Sequence, residues 1–215
     1  VIVAAIFSSC TKIDQKMLVR TYQVSDFSSL SCSCDGNLDV QFVPGRKSKI
    51  WVKGPSSQVS KIIIKKEKDK VFLYDKSSSL LFHKNKIILG KLRYPTVYVA
   101  APNLQYLSVS GYTSVSMDKL MKWKKLYVTA KGCTDVDLKL DHTRNLILKV
   151  IGNSVANIIC YNCGESKFSA SGYSDIDADF KDCDRSSVKL DGNSNASMKG
   201  SLRHQLILHV TGNSN

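Results

Sequence analysis

Two short runs of aspartate are the residues of this 215-residue chain that come closest to a catalytic arrangement. Asp135 and Asp137 form one run, and Asp175, Asp177 and Asp179 form the other. Glycosidases place two carboxylates about 5–10 Å apart across a substrate groove, whereas such groups also contact Ca²⁺ or stay solvated on a flat face. The four histidines have neither triad nor zinc-ligand spacing. We therefore expect no catalytic residue, cofactor or metal, and assign Asp135, Asp137, Asp175 and Asp177 to a candidate ligand-contact face.

Two tyrosines, Tyr112 and Tyr173, are the aromatic candidates for the same face, because each directly follows a glycine of a sequence repeat. An exposed aromatic ring offers an apolar surface with a polar edge, which suits a sugar ring. Aromatic side chains at a bend also serve simply to pack the bend. The sequence leaves both interpretations open, and both tyrosines are candidate ligand contacts.

The elements that position these side chains are set by a repeat of about twenty residues. Successive glycines are spaced by 21, 20, 20, 20 and 20 residues, and a serine or threonine stands two positions after every one. These glycines are Gly111, Gly132, Gly152, Gly172, Gly192 and Gly212. Apolar residues occupy the even offsets from each glycine and mainly polar residues the odd offsets, which is the period of a β-strand. Each repeat therefore predicts two strands joined at a glycine bend.

Twenty residues leave no room for a crossover helix, so successive repeats should coil as rungs whose equivalent strands pair in parallel, ~4.8 Å apart. The predicted fold is all-β, a single-stranded parallel β-helix, in which six rungs would make a rod of roughly 25–30 Å. A leucine-rich repeat shares this period, and residues 148–153 resemble its core motif. The strand-like second half of each repeat favours the β-helix.

The same register places two cysteines side by side. Cys163 and Cys183 each lie eleven residues after a glycine, so they should stack on adjacent rungs, where a disulfide and an unbridged ladder are both compatible with the spacing. The close pairs Cys32/Cys34 and Cys160/Cys163 have no histidine partner nearby in the sequence, and we expect no metal at either pair.

The first ten residues have the pattern of a lipoprotein signal peptide. Val1–Phe7 is apolar but too short to span a membrane, and Ser8 and Ser9 precede Cys10, whose thiol would receive the lipid. A buried strand with a chance cysteine is the alternative. We expect residues 1–10 to be a truncated signal peptide that ends at the lipidated Cys10, and residues 11–20 to form a tether. The β-helical domain should then extend over residues 21–215, with a basic lead-in at 21–94 and glycine-spaced rungs at 95–215.

The net charge of +13 makes nucleic acid the first partner to consider. Residues 1–43, 44–94 and 95–215 carry −1, +11 and +3, so the charge is concentrated in the lead-in. Its lysines alternate with β-branched residues, as in half-buried strands with a solvated face. Because no basic helix, zinc finger or aromatic nucleic-acid motif accompanies them, we expect no nucleic-acid binding. Contact with an anionic surface is the alternative.

Five stretches occur in an order that resembles one known family: 22–30, 37–45, 50–54, 71–74 and 97–115. With the repeat, they are similar over about residues 20–215 to the putative auto-transporter adhesin, head GIN domain family. The resemblance implies a right-handed parallel β-helix in a secreted or lipid-anchored protein of Bacteroidota. It brings no catalytic residues to this chain.

Together these features favour a non-enzymatic lipoprotein of the cell envelope, facing the periplasm or the cell surface, whose rigid β-helix presents a polar face to a glycan or protein. The first alternative is a carbohydrate-active enzyme that uses Asp135, Asp137 or Asp175 with a basic residue, which a groove lined by these groups would favour. The second is a self-assembling scaffold, in which an apolar terminal rung stacks end to end with another.

Overall fold

The computed structural model of the protein describes residues 16–76 and 94–213. These residues form fourteen strands and one short helix. The lead-in contains β1 (Met17–Tyr22), β2 (Ser29–Phe42), β3 (Lys49–Pro55), α1 (Ser56–Val59), β4 (Ile62–Glu67), β5 (Lys70–Asp75) and β6 (Thr96–Ala100). The repeats contain β7 (Tyr106–Met117), β8 (Lys125–Gly132), β9 (Asp135–Asp141), β10 (Asn145–Gly152), β11 (Val155–Tyr161), β12 (Glu165–Gly172), β13 (Asp175–Gly192) and β14 (Asn195–Val210).

The predicted β-helix is confirmed: the strands form a parallel β-solenoid of about five turns with rungs of about 20 residues. Leu148 of β10 lies in register between Val128 of β8 and Phe168 of β12. Strands that precede a glycine bend stack in one sheet, and strands that follow it stack in another. The sequence predicts six rungs, one for each glycine, but six glycine bends enclose only five complete turns between them.

The core lies between these two stacks and consists of the even-offset side chains. The buried members of the repeats include Leu107, Val109, Val115, Val128, Val136, Leu138, Leu148, Val150, Ile158, Phe168, Ile176, Val188 and Leu190. Leu208 and Val210 occupy equivalent positions in β14 but are 59% and 48% exposed. Among the described residues β14 pairs with β13 alone, so no strand covers the outer side of this last rung. Burial of each rung therefore depends on having a neighbour on both sides.

The glycine bends bring the backbones of adjacent rungs unusually close. Gly172 has a φ of 92°, and a Cβ placed on it would lie 3.0 Å from the carbonyl oxygen of Gly152. That carbonyl accepts a hydrogen bond from the backbone N–H of Tyr173 at 2.8 Å. The buried hydroxyl of Ser174 lies 3.0 Å from the same oxygen and 2.9 Å from the carbonyl oxygen of Ser171. Glycine is required for the close approach, and the single O–H of the serine two positions later can donate to either carbonyl of the bend.

The lead-in joins the solenoid as a preceding turn. Strand β2 pairs in parallel with β7, which brings Leu30 opposite Leu107 and Val40 opposite Val115. On the other side of β2 lie β5 and β6, also parallel to it. The antiparallel pairs β1–β3, β3–β6 and β4–β5 complete this end of the molecule. Strand β2 therefore has a neighbour on both sides, like an internal rung.

Substitution of Gly172 by alanine tests the bend. We expect the free energy of unfolding to fall by about 1–3 kcal/mol, because a Cβ at positive φ is strained and here meets the Gly152 carbonyl. Urea denaturation followed by circular dichroism measures the change. Gly36→Ala is the control, since Gly36 lacks a positive φ and its Cβ would meet the Asp75 side chain at 3.3 Å. Equal losses in both variants would contradict the role assigned to the bend.

Candidate ligand-binding face

The aspartates singled out in the sequence share one outer surface of the solenoid. We call this surface the Asp face and define it as the outward side chains of residues 135–139 of β9, 155–159 of β11 and 175–179 of β13: Asp135, Asp137, Lys139, Val155, Asn157, Ile159, Asp175, Asp177 and Asp179. In-register pairing arranges them in columns that run along the rod. One column contains Asp135, Val155 and Asp175, and the next contains Asp137, Asn157 and Asp177. Carboxylates of the same column are thus two rungs, ~9.6 Å, apart.

Amide side chains tie these carboxylates to the neighbouring rung. Asn157 Nδ2 donates a hydrogen bond to Asp137 Oδ1 at 2.6 Å, and Asn195 Nδ2 donates one to Asp175 Oδ1 at 2.9 Å. Burial, together with the nearby charge of Asp137, raises the pKa of Asp135. Each bonded carboxylate keeps its second oxygen as an acceptor for a ligand hydroxyl. The Asp face is therefore a hydrogen-bonding surface whose acceptors are held in place.

Two shallow grooves indent this side of the molecule. The first, about 230 Å³, is lined by Asp39, Tyr94, Tyr112 and Asp135, among others. The second, about 250 Å³, is lined by Ser116, Asp118, Asp137, Lys139 and Asn157, among others. The first groove combines two aromatic rings with two carboxylates, and the second combines two carboxylates with an amine.

Asp39 and Tyr94 were missed by the sequence reasoning. Asp39 pairs with Ser114, which in turn pairs with Asp135, so it extends the first carboxylate column into the lead-in. A signal for this existed, because Gly36 is followed at even offsets by Leu38, Val40 and Phe42, as in the repeats. No comparable pattern marks Tyr94.

The two candidate tyrosines lie at the edge of the Asp face. Tyr112 and Tyr173 are 56% and 70% exposed, so neither ring is used to pack its bend. They directly follow equivalent glycines three rungs apart, which corresponds to ~14 Å along the rod. Tyr112 lines the first groove with Asp135, whereas Tyr173 projects from the bend that precedes Asp175. Both rings are available to a ligand.

Three of the cysteines, Cys160, Cys163 and Cys183, form a buried group at another corner of the solenoid. Cys160 and Cys163 are joined by a disulfide, with their Cα atoms 6.2 Å apart. Cys183 is a free, buried thiol, and the sulfur atoms of all three residues lie within 4.8 Å of one another. Cys163 thus has Cys183 on the next rung, as the register predicts, but its disulfide partner lies across a tight turn in its own rung. Cys10 lies outside the described residues.

A separate polar cluster surrounds Asp141 at the end of β9. Its side chain, 13% exposed, accepts hydrogen bonds from Asn162 Nδ2 at 3.0 Å and Lys122 Nζ at 3.2 Å, and contacts His142 Nδ1 at 2.6 Å. These partners, Asn162 above all, lower the pKa of Asp141. Because Asn162 comes from the next rung, the cluster joins two turns, and we assign it to stability rather than to ligand binding.

The comparisons with known proteins identify the fold and the family. The model of the family described as putative auto-transporter adhesin, head GIN domain, matches residues 26–213. The structure of a putative adhesin from Bacteroides fragilis is similar with a TM-score of 0.69 at 17% identity, covering 94% of this chain and 96% of that one. No functionally curated protein is significantly similar to the chain.

Two structures from Parabacteroides distasonis are also similar. One, a putative adhesin, has a TM-score of 0.61 at 15% identity and covers 94% of this chain and 97% of that one. The other, described as a putative lipid binding protein, has a TM-score of 0.53 at 15% identity and covers 93% and 96%. At these identities the likeness establishes the shared fold. None of the described residues belongs to a helix that is long and apolar enough to span a bilayer.

Thiol reactivity tests the arrangement of the cysteines. Burial raises the pKa of Cys34 to about 12 and raises the pKa values of Cys32 and Cys183 as well, whereas Cys133 is exposed. At pH 8 a thiol of pKa about 12 has on the order of 1,000-fold less thiolate than an ordinary cysteine. We expect N-ethylmaleimide to modify Cys133 in the folded protein and to spare the buried thiols, as read by peptide mass spectrometry.

The same measurement examines the disulfide. The peptide that contains Cys160 and Cys163 should remain unmodified until a reductant is added to unfolded protein, because its two sulfurs are bonded to each other. Rapid modification of Cys34 or Cys183 in the folded protein would show that this part of the core is open to solvent.

Proposed function

This chain belongs to the putative auto-transporter adhesin, head GIN domain family, and we propose that it is a non-enzymatic envelope protein whose Asp face binds a glycan. The family supports a location in the envelope or at the cell surface. It also supports an adhesin-like role, in which a rigid stalk displays a recognition surface. The solenoid suits this role, because every rung is fixed by hydrogen bonds to its neighbours.

The observation that carries the proposal is the first groove of the Asp face. Sugars combine apolar ring faces with hydroxyl groups, so their recognition requires flat aromatic surfaces beside hydrogen-bond acceptors. Tyr94 and Tyr112 supply the rings, with 43% and 56% of their surface exposed, and Asp39 and Asp135 supply the acceptors. Asp39 lies in β2, Tyr112 in β7 and Asp135 in β9, and Tyr94 lies just before β6, so the solenoid brings together four separate segments of the chain.

The Asp face extends well beyond a single sugar. Further acceptors follow at Asp137, Asp175 and Asp177, and Tyr173 lies ~14 Å along the rod from Tyr112. A ligand that contacts both tyrosines must therefore be an extended chain of several sugars rather than one monosaccharide. An elongated, open surface of this kind favours binding by many weak contacts.

Replacement of Tyr112 by alanine tests the groove. We expect binding of a glycan found on a glycan array to weaken by about tenfold or more, because an exposed aromatic anchor is removed while the backbone register is unchanged. Biolayer interferometry measures the affinity. Tyr74→Ala is the matched control: Tyr74 is 36% exposed in β5 and lies outside the groove.

Three outcomes would count against a glycan-binding Asp face. One is an absence of saturable binding to any glycan, and another is equal weakening by both tyrosine substitutions. The third is shortening of the bound glycan in an Asp137-dependent manner. That result would instead support polysaccharide cleavage at the second groove, where Asp118, Asp137 and Lys139 lie together.

The lipid anchor at Cys10 is the second part of the proposal and rests on the sequence pattern before that residue. In cells that express the complete precursor, we expect Cys10→Ala to move the protein from the membrane fraction to the soluble fraction and to abolish labelling by an alkyne-bearing fatty acid. Cys133→Ala, which changes an exposed cysteine of the solenoid, should leave both unaltered. Continued labelling of the Cys10 variant would rule out this anchor.

A further inference from the structure

The outer surface that precedes the glycine bends differs sharply in charge from the Asp face. We call it the basic face and define it as the outward side chains of β8, β10, β12 and residues 185–191 of β13. Its cations are Lys125, Lys131, Lys149, Lys167, Arg185 and Lys189, against the carboxylates Glu165 and Asp191. The Asp face carries five carboxylates, Asp135, Asp137, Asp175, Asp177 and Asp179, against Lys139. The repeats, whose net charge is close to zero, therefore carry two oppositely charged surfaces on one rod.

At the centre of the basic face, lysine and serine alternate between rungs. Lys167 pairs with Ser187 and Ser169 pairs with Lys189, so each lysine has a hydroxyl beside it on the adjacent rung. Lys149 precedes Ser169 in the same column, which places Lys149 and Lys189 two rungs, ~9.6 Å, apart. The result is a row of cations at a fixed interval, separated by hydrogen-bonding hydroxyls.

A groove of about 290 Å³ crosses this centre. Lys167, Ser169, Ser187 and Lys189 line it with His209, and the partly buried Ile147 and the exposed Ile207 add apolar patches at either end. A ligand here would meet positive charge, hydroxyl groups and aliphatic surface together.

The central lysines are not neutralised by the protein. Within residues 16–76 and 94–213, no carboxylate forms an ion pair with Lys149, Lys167 or Lys189. Lys122 and Lys181, by contrast, pair with Asp141 and Asp179. Neighbouring unpaired cations repel one another, and a bound polyanion relieves that repulsion.

We propose that the basic face binds a linear acidic polysaccharide, with carboxylate or sulfate groups held by Lys149, Lys167 and Lys189. The hydroxyls of Ser169 and Ser187 donate to the same anionic groups, and Ile147 and Ile207 contact sugar rings. This site lies on a different sheet from the Asp face, so it does not depend on the function proposed above.

The geometry favours a polysaccharide over a nucleic acid. Each strand of duplex DNA carries one phosphate per about 3.4 Å of helix axis, whereas Lys149 and Lys189 are ~9.6 Å apart along the axis of the rod. Single strands are bound through bases that stack on exposed ring faces. The aromatic residues that line the groove are His209 and the buried Phe168, and the outward tyrosines Tyr106 and Tyr127 stack on each other with centroids 5.0 Å apart.

Charge-matched variants of the full protein test the proposal. One variant carries Lys149→Gln, Lys167→Gln and Lys189→Gln, and the control carries Lys47→Gln, Lys119→Gln and Lys124→Gln, three exposed lysines outside the basic face. Isothermal titration calorimetry in 50 mM and 300 mM NaCl compares polygalacturonate and dextran sulfate with neutral dextran. Circular dichroism and thermal melting establish that both variants are folded.

We expect the wild type to bind at least one polyanion and not neutral dextran. The basic-face variant should bind about tenfold or more weakly, the control should stay within about twofold of the wild type, and binding should weaken at the higher salt concentration. Tyr112→Ala should bind the polyanion normally, which separates this site from the Asp face.

Each of three results would overturn the proposal. Equal losses in the two triple variants would mean that the net charge of +13, rather than this face, attracts polyanions. Failure of the wild type to bind either polyanion would exclude the site. The third result is equally tight binding of single-stranded DNA or phosphatidylglycerol vesicles, with the same dependence on the three lysines. It would show that the basic face does not select polysaccharide over other polyanions.

Discussion

The structure depends on the contact that each glycine bend makes with the bend before it. The carbonyl oxygen of Gly152, for example, accepts a hydrogen bond from the backbone N–H of Tyr173, which directly follows the next repeat glycine. The buried hydroxyl of Ser174, from the same bend as Tyr173, lies beside that oxygen. A side chain at the glycine would separate these backbones. The backbone part of this contact recurs where Gly111, Gly132, Gly152 and Gly172 accept from the following bend, so it sets rungs of 20 or 21 residues and keeps the strands on either side in register.

Because the register is fixed, residues at the same position of successive repeats stack into one column along the rod. Inward columns become a continuous apolar core, in which each rung is buried by its neighbours. The exposed Leu208 and Val210 of β14, which has a neighbour on one side, demonstrate how strongly that burial depends on stacking. Outward columns do not have to be apolar, so side chains of one charge or polarity can recur along the rod.

The two outer surfaces of the solenoid carry opposite charge. Strands after the bend carry carboxylates and amides that hydrogen-bond to each other, whereas strands before it carry lysines without carboxylate partners. The segregation is invisible in the net charge of residues 95–215, which is +3. A rod with two such surfaces can present different recognition chemistry in different directions while one core supports both.

The sequence by itself determined the repeat, the parallel β-helix and the inward positions, because glycine spacing and period-2 alternation are local and recur in every turn. It also placed Asp135 and Asp175 in one column, since a 20-residue register follows from counting. The lead-in was harder. The residues after Gly36 follow the pattern of the repeats, but Cys34 rather than Gly36 lies opposite Gly111 and the pairing with β7 shifts between Cys34 and Leu38, so β2 was not identified as a rung that contributes Asp39.

Only the tertiary structure decided which distant groups meet. Cys163 has a thiol beside it on the next rung and another across its own turn, and spacing along the chain does not determine which of them bonds to it. Tyr94 reaches the groove of Tyr112 because the lead-in packs back along the first rung, a contact that no repeat encodes. The physical reason is the same in each case. Periodicity specifies which residues stack in the repeating strands, whereas contacts at turns and between the lead-in and the repeats depend on where the chain departs from that periodicity.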